Sequence, residues 1–191
     1  MQENRIKDII AANPSITEIT IQGWVRAFRS NRFIALNDGS TIKNLQCVVG
    51  FENFKETLLK KVTIGAAIKV TGSIVESQGK GQKVEIQVSK LEVLGEADPE
   101  EVKLTILSPK RHSLEKLREE AHLRVRTNTF SAIMRTRSKL AFAVHEYFQK
   151  NDFNYMHTPI ITGSDAEGAG EMFKVSTLNP KDLPLNKEGK I

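Results

Sequence analysis

The 191 residues suffice for one or two domains, and a chain of that length buries about 70% of its unfolded surface without a disulfide or metal staple. Its 39% hydrophobic and 27% charged content is that of a folded globular chain, and the single cysteine, Cys47, excludes a disulfide framework or a cysteine-rich zinc module. The net charge of +5 suits a polyanionic partner without demanding one; with no ~20-residue apolar run and no secretory leader, a cytoplasmic location away from membranes is expected.

Ile6 to Ala12 predicts a short helix, with Ile6, Ile9 and Ile10 on one face and Pro14 as its stop. The period then changes to alternation. Ile19 to Arg26, Arg32 to Asn37 and Leu45 to Val49 read as three strands, the second ended by the turn signal Asp38-Gly39. Phe51, Phe54 and Leu58 recur at helical spacing. Ala66 to Val75 and Lys83 to Ser89 are two further strands, joined through a loop with Gly79 and Gly81. Three strands, a helix and two strands make the chain order of an OB-fold barrel, a common nucleic-acid binder.

From Gly95 to about Arg111 the pattern lapses into a polar hinge, followed by a short helix capped by Ser113. Thr127 to Gln149 predicts a long helix whose stripe includes Phe130, Ile133, Met134, Leu140, Ala141, Val144 and Phe148, with Asn151 as its left-handed stop. Phe153 to Ile161 reads as extended, and Pro159 within it points to a sheet edge, a bulge or a subunit contact. The expected organisation is an N-terminal helix (1–14), an OB-fold domain (15–95), a hinge (96–122) and a second, α+β domain begun at 123.

Parity within the barrel strands carries the first functional expectation. If Ile34 and Leu36 face the core, Phe33 faces out; if Leu45, Cys47 and Val49 face in, Gln46 faces out; if Val84, Ile86 and Val88 face in, Glu85 faces out. An aromatic ring, an amide and a carboxylate on one outer face are the groups that stack an unpaired base and bond its edge. Arg26, Arg29 and Arg32 lie close in sequence to meet phosphates. Parity alone leaves open that Phe33 is a lone surface aromatic among ordinary polar neighbours. The four histidines show no metal-ligand spacing, and no phosphate loop of the form G-x-x-x-x-G-K-[ST] occurs.

These residues carry a resemblance. QGWVRAFRSNRFIALNDGS followed by NLQCVV resembles the anticodon-binding OB domain of aspartyl- and asparaginyl-tRNA synthetases. HLRVRTNTFSAIMRTRSKLAFAVHEYFQKNDFNYMHTPIIT resembles motif 1 of the class II synthetase catalytic domain, and SDAEGAGEMFKVSTL the loop that follows it in asparaginyl-tRNA synthetases. The chain is thereby identified as a member of the asparaginyl-tRNA synthetase family. What the resemblance implies is anticodon binding by Phe33, Gln46, Glu85 and Arg26, with Phe33 stacking the central anticodon base. It also implies a homodimer interface at Pro159 and contact of Glu167 with the α-ammonium of asparagine, on a loop that Gly168 and Gly170 let move. The implied partners are tRNA(Asn), asparagine, ATP and Mg²⁺. Asparagine, aspartate and lysine codons all demand U at the centre of the anticodon, so a shared barrel can read that base.

The family's second and third motifs, which hold ATP, are missing. The lone Arg-x-Glu is Arg118-Glu119-Glu120, upstream of motif 1, and no Glu-Arg dipeptide occurs. The expectation is the N-terminal part of an asparagine–tRNA ligase, with no catalytic residue, no metal and no cofactor held by these residues alone, and without activity by itself. An aspartyl-tRNA synthetase fragment and a non-catalytic OB-fold tRNA-binding module are the alternatives.

Overall fold

Five alternating segments become strands in the computed structural model, which describes residues 4–79, 81–163, 173, 175–179 and 181–189. They are β1 (Ser15–Arg29), β2 (Phe33–Asn37), β3 (Leu45–Val48), β4 (Ala67–Glu76) and β5 (Val84–Gly95). The sheet closes on itself in the order β1-β2-β3-β5-β4, with β4 pairing back to β1. Every pairing is antiparallel except β3 with β5. Closure leaves no free edge, and this is the OB-fold barrel that the chain order implies. Its inward positions, among them Ile34, Leu36, Leu45, Ile68, Val70 and Ile86, form one buried core. Cys47 belongs to that core, and burial pushes its thiol up to about 12.

The chain divides into two units, residues 1–141 and 142–191. In the first, helix α1 (Ile6–Ala11) buries Ile6 and Ile9 in the barrel core. Its opening amides are capped from a distance: Ile6 N–H donates to Asp38 Oδ2 at 2.9 Å and Lys7 N–H to Ser40 Oγ at 3.0 Å. The single helix expected across Phe51 to Leu58 is instead a 3-10 turn (Phe51–Asn53) and one helical turn, α2 (Glu56–Leu59). The break is at Phe54 and Lys55, both extended, which lets Phe54 and Leu59 each reach the core.

Where the sequence pattern lapses, a helix α3 (Pro99–Leu104) forms, with the Asp98 carboxylate accepting from Glu100 N–H at 2.8 Å. Helix α4 (Leu114–Glu119) is capped by Ser113 as expected. Ile106, Leu117 and Phe130 make a small second core, and Thr127 precedes the long helix α5 (Asn128–Lys150). Phe130 is buried and Met134 half-buried, but Ile133 and Leu140 of the same stripe are exposed.

In the second unit, α5 ends in a Schellman motif. Phe153 N–H donates to Phe148 O at 3.1 Å and Asp152 N–H to Gln149 O at 3.2 Å, with the Phe148 and Phe153 rings 5.3 Å apart. The left-handed residue is Asp152 (φ 62°), not Asn151, whose side chain donates to Tyr147 O at 2.8 Å. Residues 153–161 form no strand among the described residues; Pro159 is exposed within them. Glu167, Gly168 and Gly170 lie outside the described residues.

Asp38 is the acidic cap that ties α1 to the barrel. Burial opposes its charge, but hydrogen bonds from Ser40 Oγ and from the Ile6 and Ser40 amides outweigh that and hold the carboxyl below its ordinary value of 3.8. A depressed folded value means a contribution that is full above pH 3.8 and lost as pH falls through the folded value. Asp38→Asn should cost about 1 kcal/mol at neutral pH. In thermal melts the gap to the parent should stay constant above the ordinary value and close below it.

Candidate nucleic-acid interface

The outer face is assembled by three strands. The β1–β2 turn places Ser30 (φ 53°) and Asn31 (φ 50°) in the left-handed region, closed by Arg32 N–H to Arg29 O at 3.0 Å. Positive φ at both central residues is what a type I′ hairpin turn requires. Immediately after it Phe33 opens β2, 37% exposed, with the Arg32 guanidinium 5.7 Å from its ring centre. Phe33 pairs with Val48 and Ala35 with Gln46, so the amide sits diagonally across the face from the ring. Val48 is buried although it lies outside the barrel core cluster, on the outward parity of its neighbour Phe33.

The parallel pairing of Cys47 with Ile86 brings Gln46 beside Glu85. Gln46 Nε2 donates to Glu85 Oε2 at 2.9 Å, and Ser77 Oγ donates to the same oxygen at 3.0 Å. Glu85 has the outward parity that the sequence indicates, yet it is only 8% exposed, because the amide and the hydroxyl lie against it. Ser77 is the residue that sequence reasoning missed. Its signal was present: Val75 pairs with Glu85, so continuing the β4 alternation two residues further reaches Ser77 on the same side.

Arg26 is not an open cation of this face, and the expectation that it meets the anticodon is corrected. The register of β1 against β2 slips between Val25 and Ala27, so Arg26 is the extra residue of a β-bulge. Its guanidinium donates to Arg126 O and, at 3.4 Å, to Asn128 Oδ1. Burial lowers its pKa, and burial with the nearby Arg26 charge lowers that of Arg126, which lies 5.0 Å over the Trp24 ring. These groups line a cleft of about 630 Å³ with Asn37, Met134 and Arg135. Among the described residues no three His, Cys, Asp or Glu side chains gather to hold a metal ion. Arg118 and Glu120 are committed to Glu115, Lys116 and the Ile106 amide, so that Arg-x-Glu is helix scaffolding.

Comparison with known proteins places this geometry in a class. Residues 19–94 match the family model for the OB-fold nucleic acid binding domain, and residues 113–186 match that for class II tRNA synthetases of the D, K and N group. The chain therefore joins a nucleic-acid-binding barrel to a class II synthetase segment. Over its whole length it is homologous to asparagine–tRNA ligases: 50% identical to that of Cytophaga hutchinsonii, covering 100% of this chain and 42% of that protein. It is 54% identical to that of Borreliella afzelii, covering 97% of this chain and 40% of that protein. The chain thus spans about two-fifths of the length of the curated relatives it matches. In fold it resembles the asparaginyl-tRNA synthetase of Pyrococcus horikoshii complexed with asparaginyl-adenylate (TM-score 0.76, 23% identity, 92% of this chain and 41% of that one).

The bulge makes a separable prediction. Arg26→Ala leaves the Arg126 carbonyl without its donor and should destabilise residues 1–141 by about 1–3 kcal/mol. Denaturant melts should show that loss, while affinity for RNA at the Phe33 face stays unchanged.

Proposed function

We propose that this chain supplies anticodon recognition and subunit pairing to an asparagine–tRNA ligase. That enzyme is an ATP-dependent, AMP-forming ligase of the cytoplasm that activates asparagine and transfers it to tRNA(Asn). The observation that carries the reading is the outer face itself: an open aromatic ring, an amide and a carboxylate side by side on a closed OB barrel, in a chain half identical to asparagine–tRNA ligases. No helix among the described residues is long and apolar enough to cross a membrane.

The work of the barrel, residues 15–95, is positioning. Phe33 stacks the central anticodon base, since every base has a π-face and one stack contributes ~1–3 kcal/mol. Gln46 bonds the edge of that base. Arg29 and Arg32, exposed at the β1–β2 turn, meet phosphates and fix the register of the loop without reading sequence. Pro159 and the exposed apolar residues around it, Phe153, Tyr155, Met156, Ile160 and Ile161, pair with the same surface of a second copy in a homodimer. Glu167 contacts the asparagine α-ammonium. ATP and Mg²⁺ belong to the whole enzyme; the described residues gather no ligand set for the ion, and no step is assigned through either.

Phe33→Ala and Gln46→Ala should each weaken binding of a tRNA(Asn) anticodon stem-loop about 5- to 150-fold, the equivalent of ~1–3 kcal/mol. Filter binding at fixed salt reads this directly, with thermal melts to show the barrel intact. Unchanged affinity in folded variants would overturn the assignment.

A further inference from the structure

Beside the open ring of Phe33, the amide of Gln46 is held at one end only. The two ends of a carboxamide are nearly the same shape but opposite in hydrogen bonding, so an unheld glutamine offers a base either a donor or an acceptor by turning over. Gln46 is held by Glu85 Oε2 at 2.9 Å, and a carboxylate only accepts, which keeps Nε2 on that side. The carboxylate is fixed in turn: Ser77 Oγ donates to the same oxygen at 3.0 Å. Ser77 is itself directed, for its Oγ accepts from Gly79 N–H at 3.2 Å and its own N–H donates to Lys83 O at 2.9 Å. With a lone pair engaged by Gly79, the hydroxyl proton is the part left for Glu85. The chain of donors therefore runs in one direction, from the β4–β5 turn through Ser77 to Glu85, where the Gln46 amide meets it.

We propose that Ser77 and Glu85 are positioning residues that set the polarity of Gln46. Gln46 Oε1, which accepts no hydrogen bond among the described residues, then faces the base as an acceptor. An acceptor there selects a base whose edge carries a central N–H, as uracil does at N3, over cytosine, which presents a bare N3. On this account Glu85, 8% exposed and with one oxygen already holding two donors, orients the reader and does not itself touch the central base. The inference rests on the proposed anticodon function and adds the source of its selectivity.

The test uses the 191-residue chain and fluorescence anisotropy with two labelled anticodon stem-loops that differ only in a central U or C. The parent should prefer U. Glu85→Gln keeps the shape but can offer Gln46 either an acceptor or a donor, so the U-to-C affinity ratio should fall at least about fivefold, the lower end of what one well-placed base contact discriminates. Ser77→Ala, which leaves Glu85 in place but unanchored, should lower the ratio less, with U-loop affinity retained within a fewfold. A ratio unchanged in both variants, with melts intact, overturns the positioning role. Equal loss of affinity for both loops in Glu85→Gln would also overturn it, showing a carboxylate in direct contact with RNA. If the parent itself ranks U and C alike, the base-reading function fails first and the relay with it. Should Glu85→Gln not fold, Ser77→Ala alone decides.

Discussion

The parallel pairing of β3 with β5 is the constraint on which the rest hangs. Cys47 opposite Ile86 and Val48 opposite Gln87 close the barrel, and the same register sets Gln46 against Glu85. Parallel strands cannot be joined by a tight turn, so the chain must leave β3 and return through α2 and β4. β4 is then paired on both sides, to β1 and to β5, and its register slips at Gly72. There the backbones approach so closely that a Cβ would stand 2.1 Å from Gln87 O. A glycine is required by space at that point, and Gln87 is the residue β5 offers to Val48 on its other side. Closure and recognition thus share a few residues of β5.

A second junction is the loop after β2. Asp38 and Ser40 accept the opening amides of α1, and the carbonyls of Gly39 and Ser40 accept from Arg135 of α5. One loop satisfies the terminus of one helix and the charge of another, so neither group is left buried and unpaired. Arg26 does the equivalent for residues 126–128. The cations nearest the barrel's other outer side are spent on internal joins. Phe33, with Arg29 and Arg32 exposed beside it, is left as the open end.

What was legible in the sequence is what depends on period two. Alternation in Ile34 and Leu36, in Leu45 and Cys47, and in Val84 and Ile86 located the core and left Phe33 and Gln46 facing out. Burial of Glu85 was not legible, because the cover comes from a neighbouring strand and from a serine past the end of β4. Arg26 was misread because one inserted residue changes parity without changing composition. After the bulge Phe28, not Ala27, packs toward the core. Helix α3 had a readable start in Asp98-Pro99 with Glu100 and Glu101 in its first turn, but its residues are polar and the acidic run resembled a tether. The helix stop moved one residue to Asp152 because the Phe148–Phe153 ring contact chooses where the chain turns back, and that contact is invisible to propensity.

A barrel closed by hydrogen bonds all round presents its outer groups on rigid strands, so a bound loop meets a preformed surface and ordering costs are small. The most direct test of that surface is where RNA touches it. NMR titration of the ¹⁵N-labelled chain with a tRNA(Asn) anticodon stem-loop should shift the Gln46 side-chain amide and the backbone amides of Phe33, Val48 and Ser77. The indole N–H of Trp24 should stay in place. Shifts centred on Trp24 and Arg126, with Phe33 and Gln46 unmoved, would put the RNA on the other side of the barrel and contradict the account.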